Sequence, residues 1–189
     1  MRLFALEHSK AAYLADFVLY GIAVLALAAL LWAGGPAAQR GELAAIALLG
    51  FAGWTLIEYV LHRFVLHWLQ PFKRWHILHH QHPAALICTP TILSASLIVL
   101  LVFLPALLLG DIWRACALTL GLVTGYLVYA LLHHALHHGH PTSKWLKKRQ
   151  HWHALHHRPS QRSDCFGVTT EVWDHVLGTA FRAGAGKDV

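Results

Sequence analysis

Apolar residues in this chain fall into four long blocks, not into the spaced stripes of amphipathic surface helices. Tyr13 to Ala33 is apolar apart from Asp16, and Leu43 to Leu61 is apolar with Glu58 near its far end. Ile92 to Leu109 is interrupted only by Pro105, and Ala115 to Leu132 runs directly into His133. The blocks are 18 to 21 residues long, enough for a helix to cross a hydrocarbon core of ~30 Å. Gly34-Gly35-Pro36 and Gly110-Asp111 close the first and third blocks as tight turns. The pattern predicts an all-α, polytopic membrane protein with four transmembrane helices at about 13–33, 43–61, 92–109 and 115–132. The polar stretches 62–90 and 133–189 are expected to form a helical cap, and the whole of 1–189 to act as a single membrane-embedded domain.

Charge sets the expected orientation. Four spans put both termini and the 62–90 stretch on one side, and the two short turns on the other. The first side holds thirteen of the fifteen Lys and Arg residues, the second only Arg40 and Arg114. Such a bias marks the first side as cytoplasmic. Both termini and the cap are therefore expected in the cytoplasm, in a bacterial inner membrane or the endoplasmic reticulum. Trp32 and Trp113 at one edge, and Tyr13, Trp68 and Trp75 at the other, fit interfacial aromatic belts.

Composition narrows the classes. The chain is 57% hydrophobic and 13% charged, too little charge to cover a soluble domain of this size. The net charge of +6 then speaks for a lipid surface and against nucleic acid. Cys88, Cys116 and Cys165 have no paired spacing, so neither a disulfide framework nor a cysteine zinc site is expected. Glu7 and His8, with no small-residue cleavage site after the first block, favour an uncleaved anchor over a removed signal peptide.

The unusual feature is histidine: seventeen in 189 residues, nearly all clustered at the ends of the second and fourth blocks and in the polar stretches. His62 and His67 are five apart. His76, His79 and His80 are spaced i, i+3, i+4, and so are His153, His156 and His157. On a helix that spacing places imidazoles on one face, and neutral imidazole is the commonest protein metal ligand. His62 and His67 diverge by about 140° on an ideal helix, so they serve different metals or straddle a helix end. After the fourth block helical geometry allows two stripes, His133 with His137 or His134 with His138. The i, i+3, i+4 spacing prefers His153, His156 and His157 over His151. Taking one stripe, ten imidazoles suit two metal ions, since one tetrahedral zinc uses four ligands at most.

A lone histidine is more often structural, and His8 and His175 are read that way. A histidine-rich metal buffer would be a low-complexity loop, whereas these clusters sit at block ends with helical spacing. Zinc hydrolases keep a carboxylate base by the metal; here only Glu58, Asp164, Glu171 and Asp174 stand near the clusters. Iron-based dioxygen chemistry therefore fits better than hydrolysis. Glu58 is read either as an interfacial residue or as a group orienting an imidazole. The basic run Lys144 to Arg149 is read as a lipid-facing or solvated surface, or as a landing site for an acidic electron donor.

In this order the histidine groups resemble those of the fatty acid hydroxylase superfamily of integral-membrane di-metal enzymes, and within it the fatty-acid 2-hydroxylase branch. Glu58-Tyr59-Val60-Leu61-His62 through His67 is similar to the branch's first motif, and His76-Ile77-Leu78-His79-His80 with Pro83 to its second. Gly125-Tyr126-Leu127-Val128-Tyr129 with His133 and His137 is similar to its third. His153-Ala154-Leu155-His156-His157, with Phe166 to Thr170 and Trp173-Asp174, is similar to its last. The likeness spans roughly residues 50–180. It implies a four-span bundle whose cytosolic cap holds two iron ions, with zinc as a possible substitute in purified protein. It also implies O2-dependent hydroxylation of a lipid acyl chain. The ligands so implied are His62, His67, His76, His79, His80, His133, His137, His153, His156 and His157; His82, His134, His138 and His151 are extra. Catalytic groups beyond the metal centre are unknown. With no haem domain in these 189 residues, a separate electron donor of cytochrome b or ferredoxin type, with its reductase, is the expected partner. Related carotenoid hydroxylases and sterol oxidases or desaturases share the histidine groups, so they stand as alternatives. A non-catalytic metal-binding membrane protein is the rival class, disfavoured because the middles of all four blocks carry almost no polar groups.

Overall fold

The computed structural model of the protein describes residues 9–87, 89–158 and 164–181. Glu7, His8 and Cys88 lie outside those residues. Every regular element among the described residues is helical: α1 (Lys10–Gly34), α2 (Arg40–Val60), α3 (Phe72–Gln81), α4 (Thr91–Ile98), α5 (Leu104–Leu109), α6 (Ile112–His138), α7 (Lys144–His156) and α8 (Val172–Val176). Four helical stretches are long and apolar enough to cross a membrane: Lys10–Gly34, Ala37–Leu66, Thr91–Leu109 and Ile112–His138. They coincide with the four apolar blocks. Pro105 does not split the third, because a π-helical turn at Val99–Phe103 precedes it and the helix resumes as α5. Such a turn shifts the hydrogen-bond register around a residue that cannot donate.

The chain forms two compact units, residues 1–55 with 85–131 and residues 56–84 with 132–189. In the first, α6 is the best-buried helix, with Ala115, Cys116, Ala117, Leu122, Val123 and Tyr126 inside. Tyr20, Trp54, Leu122, Val123 and Tyr126 form its core, with the Tyr20 and Trp54 rings at 4.6 and 5.3 Å from Tyr126. Small residues let α2 and α6 touch backbone to backbone, as in membrane helix pairs generally. A Cβ on Gly121 would stand 1.9 Å from the Ala47 carbonyl oxygen, and one on Gly50 would stand 2.5 Å from that of Leu118. Two polar pairs tie α1 to α4: Thr91 donates to Asp16 at 2.6 Å, and the Tyr20 and Ser94 hydroxyls meet at 2.8 Å. Asp111 caps α6, its Oδ1 accepting from the Trp113 and Arg114 amides at 2.8 and 3.0 Å. Large apolar side chains such as Leu25, Leu49, Leu108 and Leu109 point outward, where a spanning helix meets lipid.

The second unit gathers the histidines. It contains the end of α2, a π-helical turn at Leu61–Leu66, α3, the end of α6, α7 and the 164–181 segment with α8. Ser143 caps α7 through the Leu146 amide at 3.2 Å. The polar C-terminal stretch is less solvent-like than its composition suggests: Cys165, Phe166, Val168 and Asp174 are all buried.

Candidate metal centre

The π turn decides the first histidine pair. An i→i+5 hydrogen bond stacks residue i over residue i+5. His62 and His67, which an α-helix would turn apart, therefore face the same way, their rings 5.3 Å apart. They join His76, His80 and His156 in one set of converging nitrogens. Within it the Nε2 atoms of His62 and His76 lie 2.9 Å apart, those of His80 and His76 2.9 Å, and those of His67 and His156 3.2 Å.

His79, His133, His137 and His153 form a second set. Here the Nε2 atoms of His153 and His137 are 2.8 Å apart, and that of His157 lies 3.1 Å from His153 Nε2. His157 thus abuts the second set, while its ring stacks on His80 of the first at 4.2 Å. All ten histidines singled out in the sequence come together in one unit. The trios, however, do not act as single faces. α3 gives His76 and His80 to the first set and His79 to the second. α7 gives His156 to the first, and His153 with the adjoining His157 to the second. Positions i+3 and i+4 differ by about 100° around a helix, so a helix wedged between two sets serves both.

The nitrogens fit a cation. Imidazoles bound at ~2.0–2.1 Å place neighbouring nitrogens ~3.0–3.4 Å apart, close to the separations seen. Protons alone satisfy them poorly. His62 Nδ1 meets the Phe166 carbonyl at 2.5 Å, and a carbonyl only accepts, so Nδ1 carries the proton and Nε2 a bare lone pair. His76 Nε2 faces both that lone pair and His80 Nε2 and can donate one proton to one of them. His153 Nε2 stands in the same position between His137 and His157.

Outside the spans, burial and the repulsion of neighbouring rings keep these imidazoles neutral, the form a metal requires. Burial pushes His79 down to about 3 and His67 and His80 to about 4, from an ordinary 6.5. Burial first, then neighbouring histidines, hold His76, His153 and His156 well below that value. Between pH 6.5 and about 4 the unfolded chain takes up protons that the folded protein refuses, so stability falls as pH falls through that window. Metal-stripped protein in detergent should therefore melt at progressively lower temperature from pH 7 to pH 5. A flat profile would contradict the burial of these rings.

The other described histidines belong to neither converging set. His134 and His138 stack on each other at 4.7 Å on the other stripe of α6. His82 caps α3 through its amide, donating to the Leu78 carbonyl, and His151 is exposed. His175 lies against Trp152 at 5.6 Å.

Two expectations need correction. Glu58 does not orient an imidazole directly. Its carboxylate accepts from the Val168 and Thr169 amides at 2.6 and 2.9 Å and from the Thr169 hydroxyl, and only the loop so held reaches His62. Arg149 is no surface residue. Lys144, Lys147 and Lys148 are exposed, but Arg149 is 4% exposed and donates to the Gly167 and Val168 carbonyls at 2.6 and 2.7 Å. It shares the inward face of α7 with His153, four residues on. Sequence reasoning assigned no role to this loop or to Asp174, although both fall in the last motif. The carbonyls of Asp164 and Phe166 accept from His156 and His62, and Asp174 accepts from the Phe166 and Gly167 amides.

Four helices able to cross a membrane and two abutting all-nitrogen histidine sets define a membrane protein whose histidines could hold metal ions. The chain belongs to the fatty acid hydroxylase family, whose model matches residues 47–179. It is 34% identical over 149 residues to the dihydroceramide fatty acyl 2-hydroxylase FAH2 of Arabidopsis thaliana, covering 73% of this chain and 61% of that protein. It is 31% identical over 145 residues to the fatty acid 2-hydroxylase of Rattus norvegicus, covering 70% of this chain and 38% of the relative. Over 145 residues it is 30% identical to the ceramide very long chain fatty acid hydroxylase scs7 of Schizosaccharomyces pombe, covering 70% of this chain and 41% of the relative. The chain thus spans about two fifths to three fifths of the length of these relatives. The fold resembles the solved structure of full-length scs7p, of which only the hydroxylase domain is visible. The TM-score is 0.75 at 24% identity, over 90% of this chain and 67% of that one.

Proposed function

We propose that this protein hydroxylates the acyl chain of a membrane lipid, using dioxygen and a pair of iron ions held by the ten histidines. The observation that carries the reading is the convergence of two all-imidazole sets in a chain of this family. Relatives named as a dihydroceramide fatty acyl 2-hydroxylase and a fatty acid 2-hydroxylase support carbon 2 of a fatty acyl group as the position attacked. They favour an acyl substrate over a carotenoid or sterol.

Iron bound there supplies the redox chemistry that lets dioxygen attack an unactivated C–H bond. His62, His67, His76, His80 and His156 would hold one ion, and His79, His133, His137, His153 and His157 the other. The protein's share is to keep these rings neutral and aimed. Burial disfavours imidazolium, and the Phe166 and Asp164 carbonyls hold the Nδ1 protons of His62 and His156 so that both Nε2 lone pairs face inward.

Hydroxylation inserts one oxygen atom of O2 into the C–H bond and reduces the other to water, with two electrons and two protons supplied from outside. A separate electron carrier of cytochrome b or ferredoxin type, with its reductase, is the proposed donor. The charge bias supports a cytoplasmic site with both termini on that side, and residues 1–189 are proposed to work as one membrane-embedded domain.

The test is isotopic. Membranes containing the protein, a reductase system and a fatty acyl lipid should yield product labelled from labelled O2 and unlabelled from labelled water, by mass spectrometry. Turnover that proceeds without O2 or reductant would sink the proposal.

A further inference from the structure

The two histidine sets differ in how their outer nitrogens are held. In the first, His62 Nδ1 donates to the Phe166 carbonyl at 2.5 Å and His156 Nδ1 to the Asp164 carbonyl at 2.8 Å. In the second, the Nδ1 atoms of His153 and His157 and both nitrogens of His79 are buried without a hydrogen-bond partner among the described residues. An imidazole whose far N–H is anchored keeps its tautomer and ring orientation and becomes the more basic ligand.

The anchoring loop is fixed at both ends. Asp174, fully buried, accepts from the Phe166 amide at 2.8 Å, the Gly167 amide at 2.9 Å and the Thr179 hydroxyl at 2.8 Å. Glu58 accepts from the Val168 and Thr169 amides and the Thr169 hydroxyl. Arg149 holds the Gly167 and Val168 carbonyls. With those groups engaged, the Phe166 carbonyl is left for His62. Gly167 leaves no room for drift, since a Cβ there would stand 1.9 Å from the Thr170 carbonyl oxygen.

The geometry points to two unequal metal positions. The set containing His62 and His156 binds its ion more tightly than the set containing His79 and His153, and Asp174 and Glu58 are positioning residues that create the difference through the 164–169 loop. This rests on the metal-binding reading above and goes beyond it.

The experiment titrates Co2+ into the full chain, stripped by chelator in detergent micelles, and follows visible absorption against a competing chelator. Two phases are expected, with affinities at least about tenfold apart. His62→Ala should remove the tighter phase and His79→Ala the weaker. Asp174→Asn turns an NH2 donor toward one of the two amide donors, Phe166 on Oδ1 or Gly167 on Oδ2. It should weaken the tighter phase by about 10–100-fold and change its spectrum, leaving the weaker phase in place; a general folding defect would move both. Thr169→Val, a gentler change at the Glu58 end, should act in the same direction and covers the case of a misfolded Asp174 variant. Two ions of equal affinity, or a tighter phase indifferent to Asp174→Asn and Thr169→Val, would overturn this inference alone. Binding of no Co2+ would overturn the metal-binding reading with it.

Discussion

His133→Ala or His137→Ala should abolish lipid hydroxylation and lower the metal content of the purified protein, while His134→Ala, His138→Ala and His151→Ala keep measurable activity. α6 carries both stripes, one residue and about 100° apart. The His133 ring lies 4.8 Å from His79 and 5.0 Å from His153. His137 lies 4.7 Å from His79 and brings its Nε2 to 2.8 Å from His153 Nε2. The other stripe instead pairs His134 with His138. Replacing a ligand by a methyl group opens a coordination position that no neighbour fills, so activity should fall below detection. Losses among supporting groups typically cost 10–100-fold, and the His134 stripe should cost no more than that. Paired activity assays and elemental analysis decide the matter. Inactive, metal-poor protein from His134→Ala beside a working His133→Ala would reverse the assignment.

Gly121→Ala should be the most destabilising single-methyl change in the bundle. The added Cβ would sit 1.9 Å from the Ala47 carbonyl oxygen and 2.8 Å from the Phe51 amide nitrogen. These are backbone atoms, so no side chain can swing aside, and α2 and α6 must separate along a seam that also packs Gly50 and Gly125. Ordinary overpacking costs ~1–3 kcal/mol, and this contact belongs at or above the upper end. The expected result is a clearly lower melting temperature in detergent and a lower yield of folded protein. Gly53→Ala, on the same α2 with no atom within 4 Å of its new methyl group, is the control and should be neutral or slightly stabilising. If both variants melt alike, the α2–α6 seam is not as tight as described.

Much of this was legible in the chain. A span needs only length and apolarity, both local properties, so the four helices could be placed within a few residues. Six of the ten histidines stand out in spacing alone, as the i, i+3, i+4 trios His76, His79, His80 and His153, His156, His157. The likeness of the motifs to one family preferred His133 over His134, which helical geometry alone left open.

What sequence could not give is the partition and the support. The i, i+3, i+4 trios announce a face, but whether that face meets one partner set or lies between two depends on helices distant in the chain. His62 and His67 look mismatched at α-helical periodicity, and only the π-helical turn at Leu61–Leu66 aligns them. Arg149 reads as one more base in a charged run until the fold turns it toward Gly167 and Val168.

The sequence by itself determined that this protein is all-helical, can span a membrane four times and gathers imidazoles at the ends of its spans, because those properties follow from the local order of residues. Only the tertiary structure decided which histidines share a set and which carbonyls hold their protons. Those contacts close between residues such as His62 and Phe166, over a hundred positions apart, where no local period reaches.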